Sequence, residues 1–137
     1  MLAEFKNELD EVTFNRCSYV VNEKIRVLNT VEALKNNELA VMGTNMYETH
    51  EGLSKLYEVS CPELDFLVDF SKDFNEVIGA RMMGGGFGGC TINIIHEDAV
   101  EKFTAAAEEA YFNKFNIKLT AFEANPSGGT AIAMQKQ

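Results

Sequence analysis

Val77-Ile78-Gly79-Ala80-Arg81-Met82-Met83-Gly84-Gly85-Gly86-Phe87-Gly88-Gly89-Cys90-Thr91-Ile92-Asn93-Ile94-Ile95 is the stretch on which the fold turns. Val77 to Met82 is a short, mostly apolar run broken by Gly79 and Arg81, and Thr91 to Ile95 alternates with a β-branched bias, so both flanks predict strands. Between them, five of the chain's ten glycines fall within the six residues Gly84 to Gly89. Each glycine costs about 0.5–1 kcal/mol in chain entropy relative to alanine inside regular structure, and a tight turn requires one or two of them, not five. Glycines let backbone N–H groups approach a ligand with no Cβ in the way, which suits a phosphate or the hydroxyls of a sugar. The structural alternative is a glycine bulge at which strands, or a strand and a helix, pack backbone to backbone.

Two phosphate motifs fail on context. Gly84, Gly86 and Gly89 satisfy G-x-G-x-x-G, but a strand follows them where a dinucleotide fold places a helix N-terminus. A P-loop needs Gly-Lys and then Ser or Thr, whereas this loop runs into Cys90-Thr91.

On the N-terminal side the periodicity is helical. Leu2, Phe5, Leu9 and Val12 recur at spacings of three and four, as do Val21, Ile25 and Leu28, which fits two helices or one long broken one. Asn36-Asn37 predicts a break, and Leu39, Met42 and Met46 mark the buried stripe of another helix, which His50 continues. Ser60-Cys61-Pro62-Glu63 predicts a helix start, with a capping Ser, a Pro in the first turn and a Glu placed to reach back, and Leu64, Leu67, Val68 and Ser71 then share one face.

On the C-terminal side Glu97 and Asp98 sit where a helix N-terminus favours negative charge, and Val100, Phe103, Ala107, Ala110 and Tyr111 form an apolar stripe ending near Lys114. Lys118 to Ala124 alternates again, Asn125 to Gly129 is a turn by composition, and Thr130 to Met134 is expected to return as the partner of a hairpin. Helices followed by β, β, α, β, β predict an α+β fold: a ferredoxin-like, four-stranded antiparallel sheet with an additional N-terminal helical layer. The chain is expected to be a single domain over residues 1–137, helical over about 1–75 and sheet-containing over about 76–137.

Composition removes several function classes. The chain has 137 residues, 46% of them hydrophobic, and 12 basic against 21 acidic groups give a net charge of −9. With no clustered Lys or Arg there is no electrostatic footprint for nucleic acid. No apolar run approaches the roughly 20 residues of a membrane helix, and the N-terminus lacks the order of a secretion signal, so a cytoplasmic location is expected. Cys17, Cys61 and Cys90 match neither a disulfide framework nor the close pairs of a zinc site, so three reduced thiols and no bound metal are expected. Cys90, leading from the loop into an apolar strand, is expected to be a buried, inert thiol, and packing is the simpler role for Cys61 too. His50 reads as a hydrogen-bonded core or cleft-edge residue and His96 as a surface turn residue.

With these residues in place, the chain resembles the galactokinases of the GHMP small-molecule kinase superfamily. Gly79 to Thr91 looks like the third conserved motif of that family, Glu58-Val59-Ser60-Cys61-Pro62-Glu63-Leu64-Asp65 like a second stretch, Arg16-Cys17 with Tyr19-Val20-Val21 and Glu23 like another, and Pro126-Ser127-Gly128-Gly129-Thr130-Ala131 like its terminal hairpin. Met83 departs from the Thr the family often has there, and with it any hydroxyl contact at that position.

The resemblance implies transfer of the ATP γ-phosphoryl group to the C1 hydroxyl of α-D-galactose, with Mg2+. The sugar-binding motif, the phosphate loop, and the Asp and Arg that act on the sugar belong to an N-terminal kinase domain without counterpart here. The implied reading is therefore a C-terminal domain, inactive alone, with no catalytic residue and no metal ligand of its own. Gly84, Gly85, Gly86, Phe87, Gly88 and Gly89 are expected to line the interdomain cleft. Gly85 and Gly86 would approach substrate, Phe87 would pack under the loop, and Arg81 would anchor it by a salt bridge. A non-catalytic, sugar- or nucleotide-responsive domain of the same fold is the alternative. Loss of the partner domain should expose an apolar patch near the loop, Met82-Met83 and the helical layer.

Overall fold

The computed structural model describes residues 2–125 and 129. A 3-10 turn at Leu2–Phe5 precedes helices α1 (Glu11–Lys35), α2 (Leu39–Lys55) and α3 (Pro62–Ser71), strands β1 (Val77–Met83) and β2 (Cys90–Ile95), a 3-10 turn at Glu97–Ala99, and α4 (Val100–Phe115).

Helix boundaries follow local chemistry. At the start of α1 the Asp10 carboxylate accepts from the Thr13 amide at 3.0 Å and from its hydroxyl at 2.7 Å, which draws the carboxyl pKa below its ordinary value. The break at Asn36-Asn37 is a Schellman turn: Asn37 takes φ 59°, its N–H donates to Leu34 O, and the Glu38 N–H donates to Ala33 O. Helix α3 starts at Pro62 as expected, but its cap differs. Cys61 occupies the N-cap with no side-chain bond, because the Ser60 hydroxyl donates to Asp65 Oδ1 at 2.6 Å instead.

β1 and β2 pair antiparallel, from Val77 opposite Ile95 to Met83 opposite Cys90, with a bulge between Val77 and Gly79. The bulge lies where α2 crosses the strand. A Cβ on Gly43 would stand 1.9 Å from Ile78 O, and one on Gly79 would stand 2.5 Å from the Gly43 Cα, so helix and strand meet backbone to backbone. The packing role considered for the glycine loop is thus performed by Gly43 and Gly79.

The core lies between the sheet and α3–α4. Val77, Phe103 and Ala107 form a buried cluster, joined by Phe70, Phe74, Ile95 and Leu119. Phe66, Tyr111 and Phe115 extend it as an aromatic row, with ring centroids 5.0–6.3 Å apart.

The four-stranded sheet is not seen among the described residues, where the sheet has two strands. Residues 118–124 carry no ladder, although Leu119 reaches the core as alternation requires. Their expected partner, Thr130 to Met134, lies outside the described residues, as does most of the terminal Pro126–Ala131 stretch.

Candidate functional site

The loop Gly84–Gly89 joins β1 to β2, and it is held at its base while its outer face is open. Gly84, Gly86, Gly88 and Gly89 all take positive φ, between 88° and 130°, so the backbone needs glycine at four of five positions. Nothing lies within 4 Å of a Cβ position at Gly84, Gly85 or Gly88, and a ligand can reach that backbone unhindered. Gly86 is the inward contact: a Cβ there would meet Val59 O at 2.2 Å, and this close approach lets the Phe87 N–H donate to Val59 O at 2.7 Å.

Two expected side-chain roles are corrected. The Phe87 ring is 76% exposed, because its residue sits in the left-handed region at φ 59° and its tether is the backbone N–H. Arg81 makes no salt bridge among the described residues; its guanidinium donates to Met82 O at 3.3 Å and lines a groove of about 270 Å³ between α1, α2 and the sheet, with Glu23, Met46, Ile92 and Ile94. Cys90 is exposed, not buried, since it is the first residue of β2 beside the open loop; Cys17 is exposed as well and Cys61 half-buried.

Three of the four stretches that carry the resemblance, the loop's own among them, come together here. Arg16 pairs with Glu58 at 3.5 Å, and the Tyr19 and Tyr57 rings lie 5.2 Å apart. Val59 holds Phe87, and the neighbouring Ser60 and Ser54 hydroxyls donate to Asp65 Oδ1 and Oδ2 at 2.6 and 3.0 Å. Tyr19 fills the space over Gly52, where a Cβ would stand 2.5 Å from its ring, and burial with the nearby Glu23 carboxylate pushes its phenol up to about 12.

Beneath the loop, His50 is 5% exposed. Its Nδ1 accepts from the Met82 N–H at 3.1 Å and its Nε2 lies 3.1 Å from Asp65 Oδ1. Burial holds the imidazole pKa below its ordinary value, outweighing the pull of Asp65 in the other direction. The geometry agrees, because an imidazolium has no lone pair with which Nδ1 can accept the Met82 amide. His50 is the hydrogen-bonded residue expected from its place on the α2 stripe. His96 is exposed and precedes the 3-10 turn at Glu97.

Among the described residues no group of three or more His, Cys, Asp or Glu side chains is placed to hold a metal. Among the described residues no helix is long and apolar enough to cross a membrane.

Residues 30–113 match the family model for the GHMP kinases C terminal, well over half of the chain. The chain belongs to the GHMP kinase C-terminal family. Galactokinases of Thermosipho africanus and Thermotoga neapolitana are 46% identical over 114 residues and 42% identical over 122, covering 83% and 89% of this chain but 32% and 35% of their own lengths. A crystal structure of Lactococcus lactis galactokinase complexed with galactose superposes with a TM-score of 0.79 at 30% identity, over 86% of this chain and 31% of that one. This GHMP kinase C-terminal chain therefore spans about a third of the length of the relatives it matches.

The exposed apolar surface is larger on the helical layer than at the loop. Met83 is 42% exposed while Met82 is fully buried, so only one of that pair belongs to the surface. On α1, Val21, Ile25, Leu28 and Leu34 are each about half exposed. The stripe that predicted α1 thus faces outward, and Tyr19 and Ala33 are the residues of α1 that are buried.

Proposed function

We propose that this chain forms one wall of the catalytic cleft of a galactokinase, which transfers the ATP γ-phosphoryl group to the C1 hydroxyl of α-D-galactose. The observation that carries the reading is the loop Gly84–Gly89: a backbone open on one face, and fastened on the other by Val59, whose neighbour Glu58 pairs in turn with Arg16. Similarity to galactokinases, one of them solved with galactose, supports the choice of sugar. Phosphoryl transfer is catalysed by positioning and by neutralising charge on the transferred group. The loop contributes to positioning, with Gly84, Gly85 and Gly88 offering unobstructed main chain to substrate.

The phosphate-neutralising groups are the business of the N-terminal domain in this reading. In this reading the ATP-bound Mg2+ takes no ligand from this chain. The chain by itself is accordingly inactive, and the apolar face of α1 provides surface for a partner domain. Cytoplasmic location follows as part of the same proposal.

The test is complementation. This chain is mixed with the N-terminal portion of a galactokinase relative and assayed for galactose 1-phosphate with ATP–Mg2+. The proposal expects no product from either part alone and product from the mixture. A stable complex without product refutes it.

A further inference from the structure

The geometry points to His50 and Asp65 as positioning residues for the glycine loop: a neutral imidazole braced between the Met82 amide and the Asp65 carboxylate sets where Gly84–Gly89 stands. The role in catalysis rests on the loop lining the cleft, but the brace itself stands on geometry.

Nδ1 accepts from an N–H, so it carries no proton, and in the neutral ring the proton is on Nε2, which faces Asp65 Oδ1 at 3.1 Å. Asp65 is fixed in turn by the Ser54 and Ser60 hydroxyls. Ser60 follows Val59, whose carbonyl takes the Phe87 N–H at 2.7 Å. The chain of bonds therefore runs from the strand end at Met82, two residues before Gly84, through His50, Asp65 and Ser60 to the middle of the loop at Phe87. Both the root and the crest of the loop hang on one carboxylate. The Met82 N–H is not given to β2; it goes to a side chain, where a shift of the ring moves the strand end and the loop beyond it. Of the charged groups that act on the imidazole, Asp65 and Asp69 come from α3 and Lys72 from its C-cap, and β1 presents the neutral Met82 amide.

Two substitutions separate the two bonds. His50→Asn places an amide oxygen where Nδ1 stands and loses the reach to Asp65; His50→Gln reaches Asp65 and leaves the Met82 N–H without an acceptor at its position. Amide exchange is followed by NMR on this chain, with Tyr111 in α4 as the internal reference. His50→Gln is expected to speed exchange at Met82 at least tenfold and at Phe87 several-fold while Tyr111 is unchanged, and His50→Asn to restore Met82 protection. Ser60→Ala, which leaves the imidazole in place, is expected to loosen Phe87 alone. Unchanged exchange at Met82 and Phe87 in His50→Gln overturns the brace, as does equal acceleration at all three amides. So does a proton found on Nδ1 at neutral pH in the imidazole spectrum. In the kinase reassembled with the N-terminal portion of a galactokinase relative, His50→Gln should lower kcat at least fivefold with KM for galactose within twofold, and His50→Asn should recover most of it. A loosened loop with unchanged turnover overturns the role in catalysis. If the wild-type mixture makes no product, it is the proposed function that fails, and the exchange result still decides the brace.

Discussion

Gly85 and Gly86 are adjacent and chemically identical, yet replacing each with alanine should move stability in opposite directions. At Gly86 the backbone sits at φ 88°, where an L-residue costs roughly 1–2 kcal/mol. The new methyl would also overlap Val59 O, 2.2 Å away, and relieving that overlap separates the carbonyl from the Phe87 N–H. Loss of that bond adds about 0.5–1.5 kcal/mol, for a total destabilisation of about 2–3 kcal/mol. Gly85 is outside the left-handed region with nothing within 4 Å of its Cβ position. Alanine there restricts the unfolded chain without straining the folded one, and stabilises by about 0.4–1 kcal/mol. The two variants should therefore differ by about 3 kcal/mol, on the order of 10 °C in melting temperature for a domain of this size. Urea unfolding with a common slope measures the difference directly. Equal midpoints, or a Gly86→Ala variant as stable as the parent, refute the claim that Val59 holds the loop. Gly85→Ala then becomes the clean probe of the cleft: in the reassembled kinase it should cut turnover at least tenfold with stability intact, because its methyl projects only toward the ligand side.

The remaining predictions concern acid, packing and thiols. His50 has its pKa below the ordinary 6.5 in the folded state, so the unfolded chain binds its proton more readily. Its contribution to stability is complete above about pH 6.5 and falls as pH drops from there through the folded value; urea midpoints across that range should fall with acid, and His50→Gln should flatten the dependence. Gly43→Ala, which sets a methyl 1.9 Å from Ile78 O, should destabilise by about 3 kcal/mol because neither backbone can yield; a loss under about 1 kcal/mol in the same unfolding assay refutes the backbone contact between α2 and β1. Iodoacetamide labelling followed by mass spectrometry should modify Cys17 and Cys90 ahead of the half-buried Cys61. Cys61 reacting first contradicts the exposed start of β2.

What was legible in the sequence was whatever local chemistry determines. Pro62 within a first turn, Asn36-Asn37 as a break, β-branched residues after the loop and the apolar stripe of α4 each name a backbone state that neighbouring residues enforce, and each matches an element of the fold. The loop's location was legible for the same reason, since five glycines have few other uses. Its internal roles were not. Phe87 reads as a packing residue, but its ring is on the surface and its backbone N–H forms the tether, and no side-chain pattern reports the destination of a main-chain bond. Val59 acts through its carbonyl and is invisible for that reason. Arg81 suggests a salt bridge by its charge, although its guanidinium donates to the carbonyl of its own neighbour. His50 lies on the apolar face of α2 that the spacing predicts, but its partners come from 15 residues ahead in Asp65 and 32 ahead in Met82, distances at which spacing carries no information.

Periodicity shows that a face is apolar without showing what covers it, and α1 is the case in point. Val21, Ile25 and Leu28 fall at helical spacing and α1 does form over them, yet these side chains are 49–59% exposed. The contact that orients α1 on α2 uses other residues: Tyr19 over Gly52, the Thr49 hydroxyl on Glu23 at 3.0 Å, and Asn45 on Thr30 at 3.0 Å. The polar seam fixes which way the helix faces, because turning the stripe inward would carry Glu23 and Thr30 away and leave the buried Thr49 and its neighbour Asn45 on α2 without partners against an apolar layer. An outward apolar stripe thus follows from the inward hydrogen bonds. Tyr19, one of the residues on this inward side, also stacks beside Tyr57 next to the Glu58–Val59 segment that holds the glycine loop. The helix that carries the outward apolar stripe is therefore the same helix that reaches the base of the loop, through Tyr19 against Tyr57.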